Sequence, residues 1–467
     1  MCLFRPASRH IFKTAPRPPA VTTVNCHFIR NMATASHIEL STNDPGVFRG
    51  PIINAESAKT ASQFLQENHD KYHIFFNSDG FHNHIAHHIL SIYALGATKQ
   101  EIEKAYDINK SYQRPQEAVE EKVVQDMSDR ANSAKYLGQE KYFHDYEVFF
   151  QNEIEAKGWE AVVNEHLFAG DNHANALFVR LYAGFLHPII HLGFGVEFKQ
   201  PAVIAEALAQ AAIHTDWIGR LLLPAETKAA EQKSEKSLFD LIEEIQANEK
   251  IKHAPHWDDG NKVRDGILGR APDEMISLAA QWQVKPDELE KKTAEMINAA
   301  AYFTGSAQHP PKQVKFDFYY MHCINCSIFF SSFLKQEWLS TGNKVRLLEW
   351  KGRLDLAMYA SRKSPELLMN EITDYSPKQP RDGWEQIFQR VDRLEDDGHS
   401  AKFIRALAHG QRTSGPFEEK ESWPIQGDSW LQLAHMVIDS VEDDGDRWVR
   451  SAGFSQAWEK FRDRAKL

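Results

Sequence analysis

Cysteine is nearly missing from this chain: four stand in 467 residues, at Cys2, Cys26, Cys323 and Cys326. That is too few for a disulfide-stapled secreted scaffold and points to a reducing compartment. Long apolar runs are missing too. A membrane-spanning helix needs about 18 apolar residues in succession, and even "LYAGFLHPIIHLGFGVEF" is interrupted by His187, His191 and Glu197. Basic stripes are absent, since the net charge is -11 with both signs mixed along the chain, which sets nucleic acid aside as a partner. No GxGxxG follows a strand, which argues against a built-in flavin or dinucleotide Rossmann site. Strand-like alternation is rare, and no internal repeat is visible.

What is present reads as helix. "ESAKTASQFLQENHDKY", "TKQEIEKAYDI", "YEVFFQNEIEAKGWEAVVNEHLF", "DELEKKTAEMINAAAYF" and "SWLQLAHMVIDSVED" carry apolar residues at three- and four-residue spacing. The expected fold is all-α, a large single-core helical bundle over residues 46–467. "LPAETKAAEQKSEKS", "KIKHAPHWDDGNKVRDG" and "SPKQPRDGWEQ" read as exposed connections. Residues 1–45 are expected to be a disordered or targeting extension. Up to residue 38 this segment has Arg5, Arg9, Lys13, Arg17 and Arg30 but no acid, the composition of a transit peptide, whereas Pro16, Pro18 and Pro19 spoil an amphipathic helix. A cytoplasmic location is expected, with mitochondria the alternative; Met32 is an alternative start.

Histidine is the unusual ingredient. "FHNHIAHHILSIYALGA" places His82, His84, His87 and His88 at the mouth of an apolar helix that Asn77 to Gly80 can cap and Gly96 can close. His84 lies three residues from His87 and four from His88, so it can share a helix face with either. His187 and His191 repeat the spacing in "HPIIH", His322 lies within "FYYMHCINCSIFF", and His399 opens "HSAKFIRALAHG" with Lys402 one turn on. A buried imidazole without a partner costs about 1–3 kcal/mol. A bundle that projects one ligand from each of several helices onto a shared metal satisfies all of them together.

"NSDGFHNHIAHHILSIYALGAT", "RLYAGFLHPIIHLGFGVEF", "MHCINCSIFF", "EWKGRLDLAMYASR", "DDGHSAKFIRALAHG" and "MVIDSVEDDGDRWVRSAGFSQAW" resemble the questin oxidase-like family of fungal proteins, from about Asn77 to the C-terminus. The resemblance implies an oxygenase that opens the ring of a hydroxylated anthraquinone or related aromatic polyketide with dioxygen. It further implies ferrous iron held by His84, His187, His322 and His399, with a carboxylated Lys402 as fifth ligand and His84 and Lys402 as catalytic residues. Members are also described as Baeyer–Villiger-type oxidases, so a metal-free mechanism drawing on NADPH as a diffusible reductant is the alternative. Lys351 is the rival for the lysine role, with Glu349 or Asp355 as its otherwise expected partner. His87, His88 and His191 are rivals for the imidazole roles, and His82 is expected to serve as a cap or second-layer group. Phe81, Phe185, Phe194, Tyr319, Tyr320 and Phe329 are candidates for aromatic pocket walls or for core filler.

Other classes remain open at this point. His144–Asp145 and His214/Asp216 suggest an all-helical metal phosphohydrolase, although no basic phosphate-binding cluster lies nearby. A catalytically dead partner protein of the same fold is a third class. Cys323 and Cys326 form a lone CxxC, short of the two knuckles of a zinc ribbon, and read as buried core.

Overall fold

A computed structural model describes residues 32–43 and 46–464. The helices that build its interior are α1 (Ala55–Lys71), α2 (Ile85–Leu95), α3 (Phe143–Lys157), α4 (Asn172–Leu181), α5 (Ala183–Glu197), α6 (Pro201–Ile213), α7 (Leu289–Ser306), α8 (Phe318–Leu334), α9 (Thr341–Ser361), α10 (His399–Glu421) and α11 (Ser429–Val441). The only strands among the described residues are β1 (Phe316–Asp317) and β2 (Trp448–Val449), paired in parallel with Phe316 opposite Trp448. The fold is all-α.

Packing follows the apolar composition. α5 is buried along nearly its whole length, and α6 is buried from Ala202 to Ile213, so neither has a solvent face and both belong in the centre of the bundle. α6 packs on α5 and α3, α8 packs on α5, α7 and α10, and α2 packs on α1, α5 and α10. These contacts set α2, α5, α8 and α10, the four helices with the histidines of interest, around one interior. No single helix among the described residues is long and apolar enough to cross a membrane. The bent pair α4 and α5 passes that test on length and composition, but it is folded by 97° and lies inside the core.

Three expectations need correction. Part of the segment expected outside the fold is packed: Ala35, Ile38 and Leu40 are buried, and the Ile38 and Leu40 amides donate to Gln66 and Ser62 on α1. Residues 1–31, the bulk of the expected extension, lie outside the described residues. "LPAETKAAE" is not a connection but the body of a helix, Gly219–Glu231, whose Leu221, Leu222 and Ala225 are buried. The long helical stretch beginning at Tyr146 breaks at Gly158, where φ is 82°, a left-handed turn that glycine adopts without steric cost.

Candidate metal centre

Backbone geometry sets up the site before any side chain is considered. At a kink within the first turn of α5, Gly184, Phe185 and Leu186 all adopt left-handed φ values of 54°, 54° and 72°. Such a conformation costs a non-glycine residue about 1–3 kcal/mol, so the surrounding core must enforce it. The bend turns the Gly184 carbonyl onto His187, whose Nδ1–H donates to it at 2.6 Å. Gly184 has no alternative residue, because a Cβ there would lie 2.6 Å from the His214 ring. At the start of α10, Gly398 is left-handed as well, and a Cβ would meet the His88 Cβ at 2.7 Å. That close approach seats His399 against the α2 end of the site.

His84, His187, His322 and His399 are all buried, and the structure brings them together. His84 Nε2 lies 2.8 Å from His187 Nε2, and His322 Nε2 lies 3.3 Å from His399 Nε2. One nitrogen each from His84, His187 and His399 fall within 4.8 Å of one another. The opposite nitrogens are all claimed. His322 Nδ1 donates to the Phe318 carbonyl at 2.6 Å, His399 Nδ1 to Asp397 at 2.7 Å, and the other Asp397 oxygen is 3.4 Å from His84 Nδ1. A carbonyl or carboxylate only accepts, so these contacts place the proton on Nδ1 and leave each Nε2 a bare lone pair.

Two bare lone pairs facing each other repel unless a cation stands between them. Protons do not fill that role, because burial holds the imidazoles neutral: His84 and His322 fall to about 3 and His399 to about 4, and His187 is held well below its ordinary value. Neutral imidazoles converging through Nε2, each oriented by an acceptor behind it, are the donor set of a bound transition metal. The residues present fit one.

Lys402 is the anomaly in this neighbourhood. Its Nζ is buried without a hydrogen-bond partner. Burial lowers it to about 8, against the pull of Asp397 and Asp396. Its charge in turn helps depress His84, His322 and His399, which places it within electrostatic reach of the cluster. Lys351, the rival, is buried in a close ion pair with Asp355 beside Cys323 and Cys326.

The remaining histidines have other attachments. His191 donates from Nε2 to Glu206 at 2.7 Å, and its Nδ1 faces His87 Nε2 at 3.1 Å, so both of its nitrogens are taken. His88 Nδ1 faces the Asn109 amide. His82 is not a cap: it stacks flat on His187 with ring centroids 3.8 Å apart and meets His214 at 2.9 Å. Capping is done by Asn83, whose Oδ1 accepts from the Ile85 amide. His84 is therefore the residue just ahead of α2, and not a member of its first turn. The phosphohydrolase ligands do not assemble. His144 Nδ1 is tied to the Glu117 carbonyl, Asp145 to the Glu120 amide, Asp216 to Arg180 and His214 to His82.

Aromatic residues rim the cluster, but not all of those expected. Phe318 packs on both His322 and His399, and Trp448 lies 6.3 Å from His399; neither was expected, because the β1–β2 pairing brings their segments together across the chain. Phe185 and Tyr319 pack on each other at 4.6 Å. Arg362 and Arg450 lie over the rings of Tyr319 and Phe318. Phe194 and Phe329 pack together in the core, Tyr320 turns its hydroxyl to the Tyr359 carbonyl, and Phe81 is exposed against Phe76. Asp397, also missed, is partly exposed and marks the open side of the cluster.

The questin oxidase-like family model matches residues 81–407, a span that contains all four histidines and Lys402. The chain belongs to the questin oxidase-like family. Members similar to it include the Baeyer-Villiger oxidase ptaJ of Pestalotiopsis fici, 42% identical over 437 residues that make up 92% of this chain and 98% of the relative. The Baeyer-Villiger monooxygenase dmxR6 of Cryptosporiopsis sp. is 41% identical over 439 residues, 91% of this chain and 98% of the relative. A questin oxidase of Aspergillus terreus is 38% identical over 436 residues, 91% and 98% respectively. These family members carry the names of oxidases and a monooxygenase, and the chain aligns with each of them nearly end to end.

Proposed function

We propose that this protein is an oxygenase that opens the ring of a hydroxylated anthraquinone or related aromatic polyketide, with ferrous iron held by His84, His187, His322, His399 and a carboxylated Lys402. The observation that carries this reading is the pair of facing, unprotonated Nε2 contacts with an unpartnered lysine in reach. Iron, when bound, supplies dioxygen activation, which buried imidazoles and carboxylates do not supply themselves.

The chain's own residues do the rest. Asp397 fixes His84 and His399 through their Nδ1 atoms, while the Gly184 and Phe318 carbonyls fix His187 and His322, so the ligand nitrogens stay deprotonated and aimed. Burial makes Lys402 lose its proton more readily than an ordinary lysine. The neutral amine can add carbon dioxide and become an anionic oxygen donor, a conversion open to lysine and closed to arginine. Phe318, Trp448, Phe185 and Tyr319 offer flat walls for a planar ring. Oxygen insertion beside a ring carbonyl, the Baeyer–Villiger reaction for which the relatives are named, places one atom of dioxygen in a lactone while two electrons and two protons convert the other to water, and hydrolysis of that lactone opens the ring. NADPH as a diffusible reductant is one source of those electrons.

The experiment is turnover of hydroxylated anthraquinones under labelled dioxygen, followed by product mass spectrometry together with metal analysis. One labelled oxygen in a ring-opened product, made by iron-containing protein, supports the proposal. Ring opening by protein free of transition metal transfers the case to a metal-free, NADPH-driven mechanism.

A further inference from the structure

A second buried cluster lies elsewhere in the same core. We propose that His69, Glu147 and Glu206 form a further metal site, separate from the four-imidazole cluster, for a divalent first-row cation such as Mn²⁺. The three residues come from α1, α3 and α6. His69 Nδ1 is 2.6 Å from Glu206 Oε1 and 3.2 Å from Glu147 Oε1, and the three ligand atoms fall within 4.8 Å of one another. Ligands at about 2.0–2.2 Å from a first-row ion stand roughly 3 Å apart, so only small shifts are needed.

The outward atoms decide in favour of a built site. Glu147 Oε2 accepts from the Gln116 amide at 2.7 Å, Glu206 Oε2 accepts from His191 Nε2–H at 2.7 Å, and His69 Nε2 meets the Gln151 amide at 3.0 Å. In that contact the Gln151 amide nitrogen faces His69 Nε2, so presenting Nδ1 to a metal requires the amide to turn until its oxygen accepts the Nε2 proton. Each of the three residues thus has one atom directed at a common point and the other tethered behind it, the arrangement that orients metal ligands.

A second observation points the same way. Gln210, one turn along α6 from Glu206 and so on the same face, is fully buried with neither amide atom hydrogen-bonded.

Two carboxylates and one imidazole also match the charge of a divalent ion. The donors differ from those of the imidazole cluster: two carboxylates and one imidazole suit Mn²⁺ or Fe²⁺ better than a softer ion. Half-buried Gln116 and exposed Asp70 lie on the side open to solvent.

The test is Mn²⁺ binding to the chelator-stripped full-length chain, read as loss of the free Mn²⁺ electron paramagnetic resonance signal. The His84→Ala chain is expected to bind one Mn²⁺, and the His84→Ala/Glu147→Gln chain to bind none. Because the reading is taken without an intact imidazole cluster, it succeeds or fails independently of iron in that cluster. If Glu147→Gln unfolds the chain by circular dichroism, Gln116→Ala with Gln151→Ala is expected to weaken Mn²⁺ binding roughly 10- to 100-fold. No Mn²⁺ uptake by His84→Ala, equal uptake with Glu147→Gln, or unchanged affinity without the two glutamines overturns the proposal.

Discussion

Two buried histidine clusters share one helical core, and they differ in what completes them. Around Asp397, four imidazoles turn bare nitrogens toward one another and Lys402 has no hydrogen-bond partner. Around Glu206, every nitrogen and carboxylate oxygen of the triad has a partner within the protein. The first arrangement is incomplete as protein alone. The second is complete as protein, and the ion proposed there would replace the contacts between its members. Unsatisfied polar atoms at the centre of a core are therefore a stronger sign of a resident ion than proximity of ligand types alone.

Substitutions that break the first cluster carry the largest expected effects. Replacing His187 or His322 by alanine removes a proposed ligand, and Lys402→Arg keeps positive charge but forbids the proposed carboxylate; each is expected to reduce turnover below detection, measured with the anthraquinone assay. Full activity in Lys402→Arg beside a dead Lys351→Arg protein would move the fifth ligand to Lys351. Asp397→Asn sits behind two ligands and not among them, so a smaller loss is expected, roughly 10- to 100-fold in activity or metal affinity. A larger share of that loss should fall on metal retention than on folding, which dialysis followed by metal analysis separates from a melting curve.

The second cluster is better probed through stability. Glu206→Gln leaves His69 and His191 without their shared carboxylate, and a loss of about 3–5 kcal/mol is expected in urea unfolding of the metal-free chain. For pH, His69 is the informative group. Its raised pKa means that its contribution is fully present below about 6.5 and is lost as pH rises through about 9. The metal-free chain should therefore lose stability across that interval, and the Mn²⁺-loaded chain should lose less, because its His69 no longer holds the extra proton. Identical pH profiles with and without Mn²⁺ would erase the distinction between the clusters. The smallest effect is expected at the aromatic rim, where Phe318→Leu or Trp448→Leu removes ring contacts of about 0.5–1.5 kcal/mol and raises KM several-fold while leaving iron content unchanged.

Helices were legible in the sequence because the bundle buries continuous apolar stripes, and the histidine motifs stood out because imidazoles are unusual in such stripes. "LPAETKAAE" misled for the opposite reason: its charges mask a narrow apolar edge that is enough to hold a surface helix in place. His84, His187, His322, His399 and Lys402 were proposed from motifs and the family resemblance, and the folded chain brings the four imidazoles together with Lys402 in electrostatic reach. Asp397 was not, since nothing in "EDDGHS" separates a solvated acidic run from a carboxylate that bridges two imidazoles. The same holds for the Gly184 carbonyl, a backbone atom aimed by three left-handed residues, and for Trp448, which reaches the site only through a two-residue strand pairing. Glu147 and Glu206 lie 59 residues apart on ordinary amphipathic or buried helices, so only the folded chain reveals that they meet. Contacts that depend on distant segments leave no local pattern to read.

The most direct measurement of the central claim is the iron content of protein purified without added metal, compared between the natural chain and His84→Ala under the same conditions. About one iron per chain in the natural protein, lost in the variant while its circular dichroism and melting remain close to normal, is the expected result. Iron absent from the natural chain, or retained in full by His84→Ala together with full activity, would contradict it.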